Sequence, residues 1–69
     1  MKKTINIEGM NCGHCSASVT RALSEIKGVT DVAVSLEDKK AVIDSALEIP
    51  NETLIEAIED AGYEVLGIE

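Results

Sequence analysis

Aromatic residues are almost absent from this sequence. The 69-residue chain has no tryptophan or phenylalanine, and Tyr63 is its only aromatic residue. Hydrophobic residues still make up 45% of the chain, which is enough for it to fold rather than stay disordered. A chain of this length has room for one domain with one modest core. We therefore expect a single domain over residues 1–69 with an aliphatic core.

Positive charge is scarce as well. The chain has 6 Lys and Arg against 13 Asp and Glu, which gives a net charge of −7. Proteins that bind nucleic acid need a basic face to neutralise phosphates, and anionic membranes attract basic segments. The charge therefore argues against both partners. The negative charge has two remaining interpretations. It attracts a partner with a basic patch, or it simply keeps a small protein in solution.

Long apolar runs are also missing. Lys2 and Lys3 are not followed by an apolar segment, whereas a signal peptide needs about 7–15 apolar residues and a membrane span about 20. We therefore expect a cytoplasmic protein, in a compartment where thiols stay reduced. In that compartment two close cysteines indicate metal or redox chemistry rather than a structural disulfide.

The spacing of apolar residues changes along the chain. Alternation such as that of Ile5 and Ile7 is typical of a half-buried strand, and the spacing of Val19 and Leu23 is typical of one helix face. The predicted strands are Thr4–Glu8, Val29–Leu36, Lys40–Asp44 and Tyr63–Ile68, and the predicted helices are Cys15–Lys27 and a segment from Pro50 or Asn51 to Ala61. This order predicts an α+β, ferredoxin-like βαββαβ fold, an antiparallel four-stranded sheet with two helices packed on one face.

Single residues mark the ends of both predicted helices. Gly28 and Gly62 each follow a helix and supply the left-handed residue that commonly ends one. At the start of the second helix, Pro50 suits a first helical turn and Asn51 is a good cap. These residues predict sharp transitions between helix and strand.

The candidate site is the segment Gly9-Met10-Asn11-Cys12-Gly13-His14-Cys15, between the first strand and the first helix. We call this segment the metal loop. Two thiols separated by two residues can converge on one soft ion, and soft thiolates select Cu(I) or Zn(II) over hard cations. We expect Cys15 in the first helical turn, where the partial positive charge of the helix end stabilises a thiolate. Gly9 and Gly13 allow the tight path around such a site.

The number of ligands separates the possible chemistries. Structural zinc is bound by four ligands in a closed tetrahedron, whereas this chain has two cysteines and one histidine in all. Two ligands suit linear Cu(I), and an ion bound by so few groups in an exposed loop is accessible to a partner's thiols. The alternative is a redox-active dithiol. Thioredoxin-like enzymes are longer, however, and usually carry tryptophan and proline near the cysteines, whereas here Pro50 is distant and tryptophan is absent.

The segment from Gly9 to Cys15, the helix that follows it, and Gly62-Tyr63 resemble the heavy-metal-associated domain family over essentially the whole chain. Within that family the bacterial copper chaperones of the CopZ type are the most similar. The resemblance implies that Cys12 and Cys15 bind Cu(I), that the protein is not an enzyme, and that the ion passes to a related domain of a copper-transporting P-type ATPase. A copper-responsive repressor is a further recipient that it suggests. Zinc-handling members often have aspartate where Asn11 stands, so this position favours copper over zinc.

Residue type and the resemblance together predict roles around the cysteines. Met10 is expected to pack into the core rather than bind the ion, and His14 to point into solvent, with a third-ligand role as its alternative. Tyr63 is expected to approach the metal loop and to cover or hydrogen-bond near the thiolates; the alternative is an ordinary core aromatic. No residue is predicted to be catalytic.

Several alternatives remain open. The start at Met1 and the short tail favour a free protein, but an N-terminal metal-binding domain of an ATPase, or a domain for Zn, Cd or Hg, would share these features. Two molecules with exposed thiols could also share copper as a homodimer. An acidic run without Lys or Arg between its ends is either a solvated helix face or a docking surface for a basic partner; it comprises Glu48, Glu52, Glu56, Glu59, Asp60 and Glu64.

Overall fold

The computed structural model describes residues 1–11 and 13–69. Its elements are β1 (Lys2–Glu8), α1 (Gly13–Ser24), β2 (Val29–Ser35), β3 (Lys40–Ser45), α2 (Asn51–Asp60) and β4 (Glu64–Ile68). No helix in the described residues is long and apolar enough to cross a membrane. The βαββαβ order is the one that the periodicities predict.

The four strands form one antiparallel sheet in the order β2-β3-β1-β4. Alternate residues of the central strands, such as Ile5 and Ile7 of β1, are buried against the two helices. Val19 and Leu23 of α1 and Leu54 and Ile58 of α2 are buried on the faces that the helical spacing predicts, so sheet and helices share one aliphatic cluster. Its buried members are Ile5, Ile7, Met10, Val19, Leu23, Ala41, Ile43, Ile49, Leu54 and Ile58. The predicted ferredoxin-like fold is confirmed.

The first helix differs from its predicted bounds at both ends. It begins at Gly13 and ends at Ser24, and the chain then turns through hydrogen bonds from Ile26 N to Leu23 O and from Val29 N to Ile26 O. Gly28 has a φ of +98° within this turn, as expected for a left-handed residue. A β-carbon at Gly28 would lie 3.3 Å from Leu47 and Ile49, so the turn packs directly on the segment before α2.

The second helix ends at Asp60, one residue before its predicted end, and Gly62 closes it as predicted. Gly62 has a φ of +97°, its N–H donates to Glu59 O at 3.0 Å, and the N–H of Tyr63 donates to Ile58 O at 3.1 Å. These two bonds form a Schellman motif, which satisfies the last carbonyls of a helix. Because the N–H of Tyr63 is used in this motif, β4 begins at Glu64 instead of at the predicted Tyr63.

The start of α2 differs from the simplest expectation for Asn51. Pro50 occupies the cap position without a side-chain cap, and Asn51 is the first helical residue. The Nζ atom of Lys3 donates to Asn51 Oδ1 at 2.8 Å and to Ile49 O at 2.6 Å. The asparagine side chain therefore links α2 to β1 rather than capping its own helix.

A β-bulge interrupts the pairing of β1 with β4. Asn6 pairs with Gly67 but Ile7 pairs with Val65, so Leu66 is an extra residue in the ladder. Because of this extra residue, Val65 and Ile68 both pack against the core although they are three positions apart. Leu66 is left pointing to solvent, with 61% of its surface exposed.

Candidate metal site

The candidate loop begins where β1 ends. Gly9 follows Glu8 and has a φ of +97°, a backbone conformation that residues with a side chain rarely adopt. At Gly9 the chain turns away from the sheet. Met10 then inserts into the hydrophobic cluster with only 1% of its surface exposed. The structure therefore places Met10 inside the core, where it anchors the base of the loop.

The middle of the loop carries the predicted first ligand. Asn11 is exposed. Cys12 lies outside the residues that the structure describes, so its assignment as a ligand stays a prediction. Among the described residues, no three His, Cys, Asp or Glu side chains lie close enough together to hold an ion.

The far end of the loop is the first turn of α1. Gly13, His14 and Cys15 are the first three helical residues; Gly13 and His14 are exposed, whereas Cys15 is half-buried and packs against the core. The unpaired N–H groups of a first turn carry partial positive charge, which favours an anionic thiolate there. The helix start thus lies under Cys15, as predicted, but begins two residues earlier.

Tyr63 is brought to the same end of the molecule. It is half-buried, and a β-carbon built on Gly9 would lie 3.5 Å from Cδ1 of its ring. Glu8 and Glu64 are the last pair of the ladder, and Gly9 and Tyr63 are the residues just beyond the ends of the two strands. The structure therefore brings Tyr63 to the metal loop; its effect on bound metal stays a prediction.

Two exposed features beside the metal loop were not predicted from the sequence, the pairing of Glu8 with Glu64 and the bulge at Leu66. The ladder sets Glu8 directly opposite Glu64, and the bulge exposes Leu66 on the same edge. A signal was present, because Val65 and Ile68 are both apolar at a spacing that a regular strand cannot bury on one face. The glycine at position 67 is a second signal for a bulge.

Comparisons with known proteins agree with this geometry. A sequence model of the heavy-metal-associated domain matches residues 4–64. A copper chaperone CopZ of Staphylococcus haemolyticus is 41% identical over 66 residues, which cover 94% of this chain and 97% of that protein. The solved structure of a CopZ metallochaperone is similar with a TM-score of 0.89 at 37% identity, over 96% of this chain and 100% of that one.

A solved copper-binding domain of a P-type ATPase is also similar. Its TM-score is 0.84 at 35% identity, and the match covers 100% of this chain and 99% of that domain. The family match spans most of the sequence, and these relatives are similar over nearly their whole length. This chain therefore belongs to the heavy-metal-associated domain family.

Proposed function

We propose that this protein is a cytoplasmic copper(I) chaperone, which carries one ion between Cys12 and Cys15 and does not act as an enzyme. The observation that carries the proposal is the position of Cys15, half-buried in the first turn of α1 directly after the loop that holds Cys12. A bis-thiolate Cu(I) centre has a net negative charge, which the helix start stabilises. The names of the CopZ relatives support copper as the ion.

Transfer proceeds by exchange of thiolate ligands. A thiolate of the partner forms a bond to the two-coordinate Cu(I), which becomes three-coordinate. The bond to Cys12 or Cys15 then breaks, and that sulfur leaves as a thiolate. A second exchange completes the transfer, and copper remains Cu(I) throughout, so no oxidant or reductant is needed.

The residues around the cysteines support this chemistry. Met10 holds the loop base in the core, Gly13 opens the helix without a side chain, and exposed His14 leaves room for an approaching partner. Asn11 is a weaker ligand than the aspartate of zinc-handling relatives, and so favours copper. Tyr63 lies beside Gly9, and in this proposal its ring covers the thiolates from that side.

The recipient in this proposal is the metal-binding domain of a copper-transporting P-type ATPase. The similarity of this chain to a copper-binding domain of such an ATPase supports transfer between two domains of one shape. The same similarity favours a second candidate function, that of the N-terminal metal-binding domain of an ATPase itself. The mass of the protein detected in cells with an antibody to this chain separates the two candidates.

Two further partners belong to the proposal. A copper-responsive repressor would receive the ion by the same exchange, and release of its DNA on addition of the copper-loaded protein tests this. A copper-bridged homodimer would appear as a doubling of mass in size-exclusion chromatography at one Cu(I) per two chains.

The central test is a variant in which Cys12→Ser and Cys15→Ser are combined. We expect it to keep the circular dichroism spectrum of the wild type and to lose tight Cu(I) binding in competition with a chromogenic chelator. Ala17→Ser, at an exposed position of α1, is the matched control and should bind copper normally. Tight binding by the double variant contradicts the site, and a strong preference for Zn(II) in a parallel titration contradicts the metal.

The enzyme alternative has its own test. An insulin-reduction assay on the reduced protein without metal should show no turnover. Sustained turnover there would favour a dithiol oxidoreductase.

A further inference from the structure

The solvent-facing side of the sheet carries a groove beside the metal loop. It has a volume of about 450 Å³ and lies between the β2–β3 turn and the bulge of β4. The residues that line it are Asn6, Ile7, Glu8, Asp38, Lys39 and Leu66. Glu8 directly precedes Gly9, so one end of the groove adjoins the start of the metal loop.

The apolar part of this groove is Leu66. The bulge removes Leu66 from the regular ladder, and 61% of its surface is exposed. Bulges next to functional sites often redirect a side chain. Here the redirected side chain is a leucine at the rim of a groove, in position to contact the apolar part of a partner's side chain.

At one end of the groove, Glu8 belongs to an unfavourable pair of glutamates, whose other member, Glu64, lies outside the groove lining. Glu8 and Glu64 are directly opposite each other on β1 and β4, and both are exposed. Like charges at directly opposed positions destabilise a sheet. In the described part of the chain neither carboxylate has an ion-pair partner, since the only ion pairs there join Met1 to Asp44 and Arg21 to Glu25.

One kind of side chain matches both parts. An arginine guanidinium is planar, carries five donors and can bridge two carboxylates, while its aliphatic stem packs on apolar surface. Asp38 is the second carboxylate that lines the groove, beside Glu8, and Lys39 is its single cation. With a net charge of −7 on the chain, a basic surface is also attracted at long range.

We propose that this groove docks an arginine presented by the copper-accepting domain, with the stem on Leu66 and the guanidinium at the Glu8 end of the groove, between Glu8 and the neighbouring Glu64. The inference rests on the proposed function, because it takes the acceptor of the ion as the partner. It assigns recognition to the solvent-facing side of the sheet, beside the metal loop. The acidic residues of α2 then contribute only long-range attraction.

Two variants and two matched controls test the site. Leu66→Ser and Glu64→Gln should each weaken the complex with the metal-binding domain of the copper ATPase of the same genome by about tenfold. Leu47→Ser changes another exposed leucine, 56% exposed, and Glu56→Gln makes the same charge change on α2. Both controls should bind within about twofold of the wild type.

The melting temperature of Glu64→Gln is a second measurement, and it distinguishes a docking role of this residue from a purely structural one. Because the substitution removes a like-charge pair, we expect it to raise the melting temperature of the metal-free protein while it weakens the complex. Arginines of the acceptor are then replaced by glutamine one at a time. One replacement should weaken binding as much as Glu64→Gln and add little when combined with it.

The outcomes separate the docking surface from the proposed function. Equal weakening by Glu56→Gln and Glu64→Gln, unchanged binding by Leu66→Ser, or no complex with the wild type would each overturn the docking surface. Cu(I) binding and transfer to a small chelator are measured on the same variants and should match the wild type. Failure of the wild type to bind Cu(I) overturns the proposed function instead.

Discussion

Gly9 and Tyr63 lie across from each other where β1 and β4 meet the metal loop, and a β-carbon on Gly9 would be 3.5 Å from Cδ1 of the tyrosine ring. The ring thus packs on a backbone that has no side chain of its own. On the far side, Tyr63 follows Gly62, which closes α2 through its positive φ. Two glycines therefore flank the one aromatic side chain and place it beside Gly9, at the start of the metal loop.

Replacement of Tyr63 should change how fast copper leaves. In Tyr63→Ala the loop loses its cover, and we expect Cu(I) transfer to a small-molecule chelator to become about tenfold faster, as measured by stopped-flow absorbance. Tyr63→Phe retains the ring and separates its contribution from that of the hydroxyl. A rate for Tyr63→Ala equal to that of the wild type would show that the ring does not shield the ion.

The glycines with positive φ offer a matched comparison. Gly62→Ala should lower the free energy of unfolding by about 1–2 kcal/mol through backbone strain alone, because nothing lies within 4 Å of the new β-carbon. Gly9→Ala has the same backbone strain, and its β-carbon would meet the Tyr63 ring at an ordinary contact distance of 3.5 Å, so it should cost a similar amount. Urea denaturation gives both values, and a clearly larger loss for Gly9→Ala would indicate that the ring cannot accept the new β-carbon.

Lys3 should matter more than its neighbour Lys2. Lys3→Met removes the hydrogen bonds from Nζ to Ile49 O and Asn51 Oδ1, and we expect a loss of about 1 kcal/mol in the free energy of unfolding. Lys2→Met changes the same charge at an exposed position and is the control. Equal effects of the two substitutions would mean that net charge, rather than the link to α2, determines the change.

Deletion of Leu66 should be tolerated. Val65 would then directly precede Gly67, and the pairings of Ile7 with Val65 and of Asn6 with Gly67 could persist as a regular ladder. We expect a change below about 1 kcal/mol in the free energy of unfolding and no change in Cu(I) affinity.

The control deletion is Val42, in the regular ladder of β3 between buried Ala41 and Ile43. Deletion of Val42 turns the side chains on one side of the deletion to the opposite face of the sheet, and this should prevent stable folding. Thermal melts followed by circular dichroism distinguish the two deletions. Unfolding of the Leu66 deletion would show that the bulge is required by the fold itself.

The local sequence was sufficient for most of the architecture. Alternation at Ile5 and Ile7 and the helical spacing of Leu54 and Ile58 place these residues in the core without knowledge of their partners. Gly28 and Gly62 mark the helix-to-strand transitions, because few residues other than glycine adopt their positive φ. The candidate loop, too, was predicted from the spacing of its cysteines.

The sequence by itself thus determined the order of the elements, the aliphatic core and the loop that carries the thiols, since each follows from interactions between residues close in the chain. Only the tertiary structure decided where α1 ends, that Asn51 bonds to Lys3, that Leu66 leaves the ladder, and that Glu8 meets Glu64. It also decided that Gly9 contacts Tyr63. These features depend on strand register and on contacts between distant segments, which compete with local preferences and are settled only when the whole core packs.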